Sequence, residues 1–158
     1  YFTSLKMMGE VIYFLSLSLG GVLLPKVSQL NTLNKAHGYL LKKTLIYFGI
    51  VLLCIVSVYA IAPDIIITFL FGKSYSSISK YLVWYTMAMG LLSLSIILMF
   101  YDVSVKRTAF KYPLILLTML EVALLVMFHE TMEQIIIVQI ATFSLLLVSV
   151  IIINRRYG

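Results

Sequence analysis

The sequence predicts an all-α membrane protein of about five transmembrane helices, and three observations carry that prediction. Hydrophobic residues fill 62% of the 158 positions and charged residues only 11%, less than half of the roughly 25% that soluble domains carry. A chain this short has too little interior to hide so much apolar surface from water. The charges also fall in clusters between long apolar runs, as when runs sit in hydrocarbon and clusters in water. Several runs, finally, reach the ~20 residues that a helix rising ~1.5 Å per residue needs to cross a core ~30 Å thick.

The first predicted span covers 11–30; its clean core, VIYFLSLSLGGVLL, is short and is followed by Pro25. A second covers 43–62 and contains TLIYFGIVLLCIVSVYAIA. The third covers 81–103. The fourth, 112–128, is short and carries Glu121 in its middle; the fifth, 135–153, is the most uniformly apolar. Segment 63–79, PDIIITFLFGKSYSSIS, is too short and too interrupted to span. Gly72 breaks it, and Lys73 and Tyr75 suit the headgroup level, which predicts an interfacial or re-entrant helix followed by a turn. The alternative is a simple extension of the second helix, since membrane helices tolerate a proline such as Pro63. No internal repeat, Gly/Ser linker or low-complexity tract interrupts residues 1–158, which read as a single helical unit.

Charge placement orients the spans. The net charge is +6, but the cations lie in loops between apolar runs, which fits anionic headgroups and not nucleic acid. Lys26, Lys35, Lys42, Lys43, Lys106, Arg107, Lys111, Arg155 and Arg156 share one side, against Lys6, Lys73 and Lys80 on the other. The richer side is expected in the cytoplasm. The C-terminus is then cytoplasmic, the loop HETMEQ lies outside, and the chain enters from outside. An external start at Tyr1, with no charged leader before the first run, reads as a piece of a longer chain whose upstream helices are missing.

Few residues carry chemistry. Glu121 lies mid-span, where a carboxylate costs about 2.5–3.5 kcal/mol on insertion scales. It is a candidate proton- or cation-coupling residue, or else a protonated carboxyl bonded to a neighbour such as Gln139. Asp102, near the cytoplasmic end of the third span, is expected to pair with Lys106 one helical turn on. His129 borders the outer loop and is expected to be solvated. Ser16 and Gly20 share a helix face, and small residues there, with Ser18 and Gly21, permit close packing. Gly20 and Gly21 shortly before Pro25 are also candidates for a hinge. Gly90 and Ser93 read as packing residues, and the lone Cys54 as a small hydrophobe. Tyr59, Tyr75, Tyr81, Trp84, Tyr101 and Tyr112 near span ends fit interfacial belts. No nucleophile, metal or nucleotide motif is present, so neither an enzyme nor a cofactor is expected.

Two stretches together carry a resemblance. One is GGVLLPKVSQL, Gly20 to Leu30, with Pro25 and Ser28; the other is APDIIITFLFGKSYSSIS, Ala62 to Ser79, with Phe71, Gly72 and Tyr75. At this separation they resemble the C-terminal half of Wzx-type polysaccharide-biosynthesis flippases. These belong to the multidrug/oligosaccharidyl-lipid/polysaccharide exporter superfamily, which also holds MATE exporters and the lipid II flippase MurJ. The resemblance implies the C-terminal bundle of a MATE-like transporter of 12–14 helices, with the Pro25 loop and the C-terminus in the cytoplasm. It further implies a bacterial cytoplasmic membrane, and a cargo of undecaprenyl-diphosphate-linked oligosaccharide moved by alternating access against a missing N-terminal half. Pro25, Ser28, Phe71, Gly72 and Tyr75 are markers of the motifs and not binding residues. The alternatives are a drug or peptidoglycan-precursor exporter of the same superfamily, or a membrane anchor or subunit of an enzyme or sensor.

Overall fold

The computed structural model describes residues 2–157, apart from the side chains of residues 2, 76 and 157. The described residues form six α-helices and one 3-10 helix, with no strand. They are α1 (Phe2–Thr32), α2 (Gly38–Ile61), α3 (Pro63–Phe71), the 3-10 helix (Lys73–Ile78), α4 (Ser79–Ser104), α5 (Lys111–Met127) and α6 (Met132–Tyr157). α1, α2, α4 and α6 are each long and apolar enough to cross a membrane. α5, with 17 residues, stands at the lower limit of about 17 for a span. The chain is an all-α, multi-pass membrane protein.

α1 differs from expectation at both ends. It begins at Phe2 and not near residue 11, because Lys6 and Glu10 do not interrupt it. They sit one turn apart, with Nζ and Oε1 3.5 Å from each other, and neutralise one another on an exposed face. Pro25 lies within the helix and not in a loop. Proline has no N–H and crowds the carbonyl four residues back, which here belongs to Gly21, a residue with open space on its side-chain side.

α4 is the central element: more than half of its apolar stretch is buried, against almost none of α2's. It packs against α1, α6 and α2, while α5 packs mainly on α6. Two glycines let α1 approach closely. A Cβ on Gly9 would stand 2.4 Å from Tyr85 Cε1, and one on Gly20 only 2.2 Å from Phe100 Cδ2. Between them Ser93 Oγ donates to the Ile12 carbonyl at 3.4 Å. Leu52 of α2 fills the space beside Gly90 on the other side of α4. These contacts make α1 parallel to α4; Gly38 at the start of α2 lies by Tyr101 near the end of α4, which with Leu52 beside Gly90 makes α2 antiparallel to it. The buried side chains form two clusters, one around Val27, Phe48, Ile97 and Val150, the other around Leu5, Ile67, Leu82 and Ile136.

Two helix ends share one cap. Among the described residues, Asn34 and Lys106 are the non-glycine residues with positive φ, at 53° and 60°. After α1, Lys35 N–H bonds to Leu30 O (2.9 Å) and Asn34 N–H to Asn31 O (3.1 Å). After α4, Arg107 N–H bonds to Asp102 O (2.8 Å) and Lys106 N–H to Val103 O (3.0 Å). Both are Schellman motifs, in which a left-handed residue turns the chain back to satisfy the last carbonyls. They place Lys35 and Arg107 at the same end of the bundle, called here the basic end.

At the opposite end Ala62 (φ −139°, ψ 53°) leaves helical geometry and separates α3 from α2. Pro63 then occupies the first turn of α3, where a missing N–H costs nothing. Gly72 ends α3 with φ 91° and ψ 165°, a region essentially reserved for glycine.

Candidate functional site

Hydrogen bonds between side chains of different elements lie at the bundle's two ends among the described residues. At the basic end Asp102 is fully buried. Asn154 Nδ2, from the last turns of α6, donates to its Oδ1 at 3.1 Å. Asp102 Oδ2 and Arg107 Nη1 are both buried without a hydrogen-bond partner. Beside them the hydroxyl of Tyr101 and Nδ1 of His37 are 3.0 Å apart, which ties the α1–α2 loop to α4. The expected pair of Asp102 with Lys106 does not form. The helix stops at Ser104, and Lys106, in its left-handed conformation, is exposed. The cap instead carries Arg107 back towards the carboxylate. Asp102 is fully buried within the protein near the end of α4, with Asn154 as the partner that the sequence left unseen.

Glu121 lies apart from this cluster, half-buried in the middle of α5. It makes no hydrogen bond to Gln139, whose Oε1 is buried without a partner. Thr86 Oγ1, fully buried on α4, is likewise unpartnered. His129 is exposed, and its Nδ1 meets the Val126 carbonyl at 2.9 Å. Cys54 is exposed on the outward side of α2. Among the described residues no three His, Cys, Asp or Glu side chains come together as metal ligands.

The small residues of α1 divide between two faces. Ser16, Gly20 and Leu23 are buried towards α4. Ser18, Gly21, Pro25 and Gln29, spaced three and four apart, are exposed on the other side together with Met7, Val11, Phe14 and Val22. The bundle leaves that stripe uncovered.

At the end opposite the basic one, Phe71, Gly72 and Tyr75 form a single turn. Gly72 O accepts from Tyr75 N–H (3.1 Å), and the Phe71 and Tyr75 rings lie 6.1 Å apart. Ser79 Oγ donates to Asp64 Oδ1, closing the loop from α3 onto the start of α4. Nearby, Glu133 accepts from the Tyr81 hydroxyl at 3.0 Å and lies 3.9 Å from Lys80 Nζ. Sequence reasoning missed this trio, because nothing in spacing aligns the first turns of α4 and α6.

The class of protein is therefore a multi-pass helical membrane protein with one buried carboxylate at its basic end. No protein-family model, no curated protein and no solved structure matches the chain.

Proposed function

We propose that the chain is part of a membrane transporter that moves lipid-linked oligosaccharide across the bacterial cytoplasmic membrane by alternating access. The observation that carries this reading is the uncovered stripe of α1, Ser18, Gly21, Pro25 and Gln29, on the side turned away from α4. These small and polar residues are interleaved on that face with exposed Val11, Phe14 and Val22, so the stripe offers a close-packing surface for a second body within an otherwise lipid-compatible face. In an alternating-access transporter that position belongs to the helix facing the central cavity. The turn at Phe71, Gly72 and Tyr75 supports the same reading, since its glycine conformation gives the second sequence motif a physical reason. The basic end is then cytoplasmic, and the cargo is of the undecaprenyl-diphosphate class.

Complementation tests the proposal. The full-length protein is expressed in a bacterium that lacks its own O-antigen flippase, and surface polysaccharide is measured. Restoration is the expected result. Correct insertion without restoration, repeated across hosts with different repeat-unit sugars, would sink the oligosaccharide reading. Within a restored strain, bulky substitution at Gly21 or Ser18 is expected to lower export without lowering the amount of inserted protein.

A further inference from the structure

The space between α4 and α6 has no role in the transport reading. It is a groove of about 640 Å³ lined by Trp84, Ile136, Ile137, Ile140 and Ala141, with Lys80, Tyr81 and Glu133 at its mouth. That volume is of the size of small-molecule sites, roughly 300–1,000 Å³. Its walls are almost wholly apolar. Ala141 lies eight residues beyond Glu133 on α6, so the groove runs about 12 Å into the hydrocarbon layer at ~1.5 Å per residue.

We propose that this groove binds a zwitterionic phospholipid with a primary ammonium, a phosphatidylethanolamine, with an acyl chain along Trp84 and Ile140 and the headgroup across Lys80 and Glu133. The mouth carries one charge of each sign, 3.9 Å apart, with the two side chains 66% and 65% exposed. An anionic headgroup would satisfy Lys80 but press its phosphate against Glu133. A zwitterion satisfies both, phosphate to Lys80 Nζ and ammonium to Glu133. Tyr81 contacts both charged groups of the mouth. Tyr81 donates to one Glu133 oxygen at 3.0 Å, and Lys80 Nζ sits 4.6 Å from the centre of the Tyr81 ring. The second Glu133 oxygen is left to accept from a primary ammonium, which a quaternary choline, having no N–H, cannot supply. The inference does not depend on the cargo.

Trp84 lines the groove, is 58% exposed and is the one tryptophan of the sequence. The full-length protein is reconstituted into vesicles containing equal fractions of acyl-brominated phosphatidylethanolamine, phosphatidylcholine or phosphatidylglycerol. Fluorescence quenching at Trp84 is read against a Trp84→Phe control. Phosphatidylethanolamine is expected to be preferred over phosphatidylcholine by about threefold, the size an exposed ionic contact supports. Glu133→Gln is expected to abolish that preference, and Lys80→Gln to weaken both lipids alike. Ala141→Phe, which fills the groove, is expected to remove the extra quenching. Equal quenching by all three lipids would mean bulk lipid only and would overturn the proposal. So would stronger quenching by phosphatidylglycerol, or no quenching at all, the result if protein covers the groove.

Discussion

Asn154 donates a hydrogen bond to the buried carboxylate of Asp102 at 3.1 Å, joining the last turns of α6 and α4. At the other end of the same two helices Tyr81 donates to Glu133 at 3.0 Å. Both pairs are 52 positions apart in sequence. The helices therefore run parallel and hold one register along their whole length. The Tyr81–Glu133 contact is exposed, so the constraint with energetic weight is the buried one.

That weight is measurable. Replacing Asn154 with Leu leaves both carboxylate oxygens of Asp102 buried without a donor, a loss of about 1–3 kcal/mol. Removing both polar groups, in Asp102→Leu with Asn154→Leu, takes away the unsatisfied acceptor as well as its donor, but it leaves Arg107 facing an apolar wall. The double variant is expected to unfold at a higher temperature than Asn154→Leu alone in detergent thermal melts. A double variant less stable than either single one would show that the carboxylate answers mainly to Arg107.

Lys106 gives a second test, independent of charge. Its φ of 60° is a conformation that costs an L-residue roughly 1–2 kcal/mol. Glycine adopts it freely but loses more chain entropy on folding, which returns part of the gain. Lys106→Gly is expected to stabilise the protein by up to about 1 kcal/mol, while Lys106→Val, β-branched and poorly suited to positive φ, destabilises it. Thermal melts of the three proteins should rank Gly above Lys above Val. Lys ranking above both Gly and Val would mean that the Lys106 side chain, and not the backbone turn, holds the cap.

These two sites mark where the sequence stops being legible. The apolar runs of α2, α4 and α6 carry their own length and placement, since hydrocarbon thickness selects them directly. Glu121 was visible for the same reason, as one charge in an apolar run. The start of α1 was not, because Lys6 and Glu10 look like the edge of a span when read singly and like a neutral surface pair only once the helix exists. Arg107 was hidden by the left-handed Lys106, a conformation that glycine would have announced and lysine does not. Asn154 was hidden because the register of α6 on α4 is a tertiary fact. The division of Ser16 and Gly20 from Ser18 and Gly21 followed in part from helical spacing, but which face meets α4 did not.

Neighbouring glycines test that division. Gly20 faces Phe100, with no room for a Cβ, whereas Gly21 has nothing within 4 Å. Gly20→Ala is expected to push α1 off α4 and destabilise by about 1–3 kcal/mol, the usual range for overpacking. Phe100→Ala in the same protein should recover part of that loss, because it opens the space the new methyl needs. Gly21→Ala relieves the entropy cost of a mid-helix glycine and is expected to stabilise by about 0.5–1 kcal/mol. Equal destabilisation at both positions would remove close packing as the reason for Gly20.

The last prediction concerns which way the bundle faces. The nine cations at the basic end include Lys35 in the α1–α2 connection and Arg107 after α4, both brought there by the same cap. The opposite end carries only Lys6, Lys73 and Lys80, with Lys6 and Lys80 each beside a glutamate. Positive loops resist translocation, so the basic end is expected to stay in the cytoplasm. In a Cys54→Ser background, single cysteines at Ala36 and Glu130 report the two ends, since both positions are exposed in loops. An impermeant maleimide applied to whole cells should label the Glu130 position at once and the Ala36 position only after the membrane is opened. Labelling of Ala36 in intact cells would reverse the topology. It would also place the buried Asp102–Asn154 pair at the outer end of the bundle.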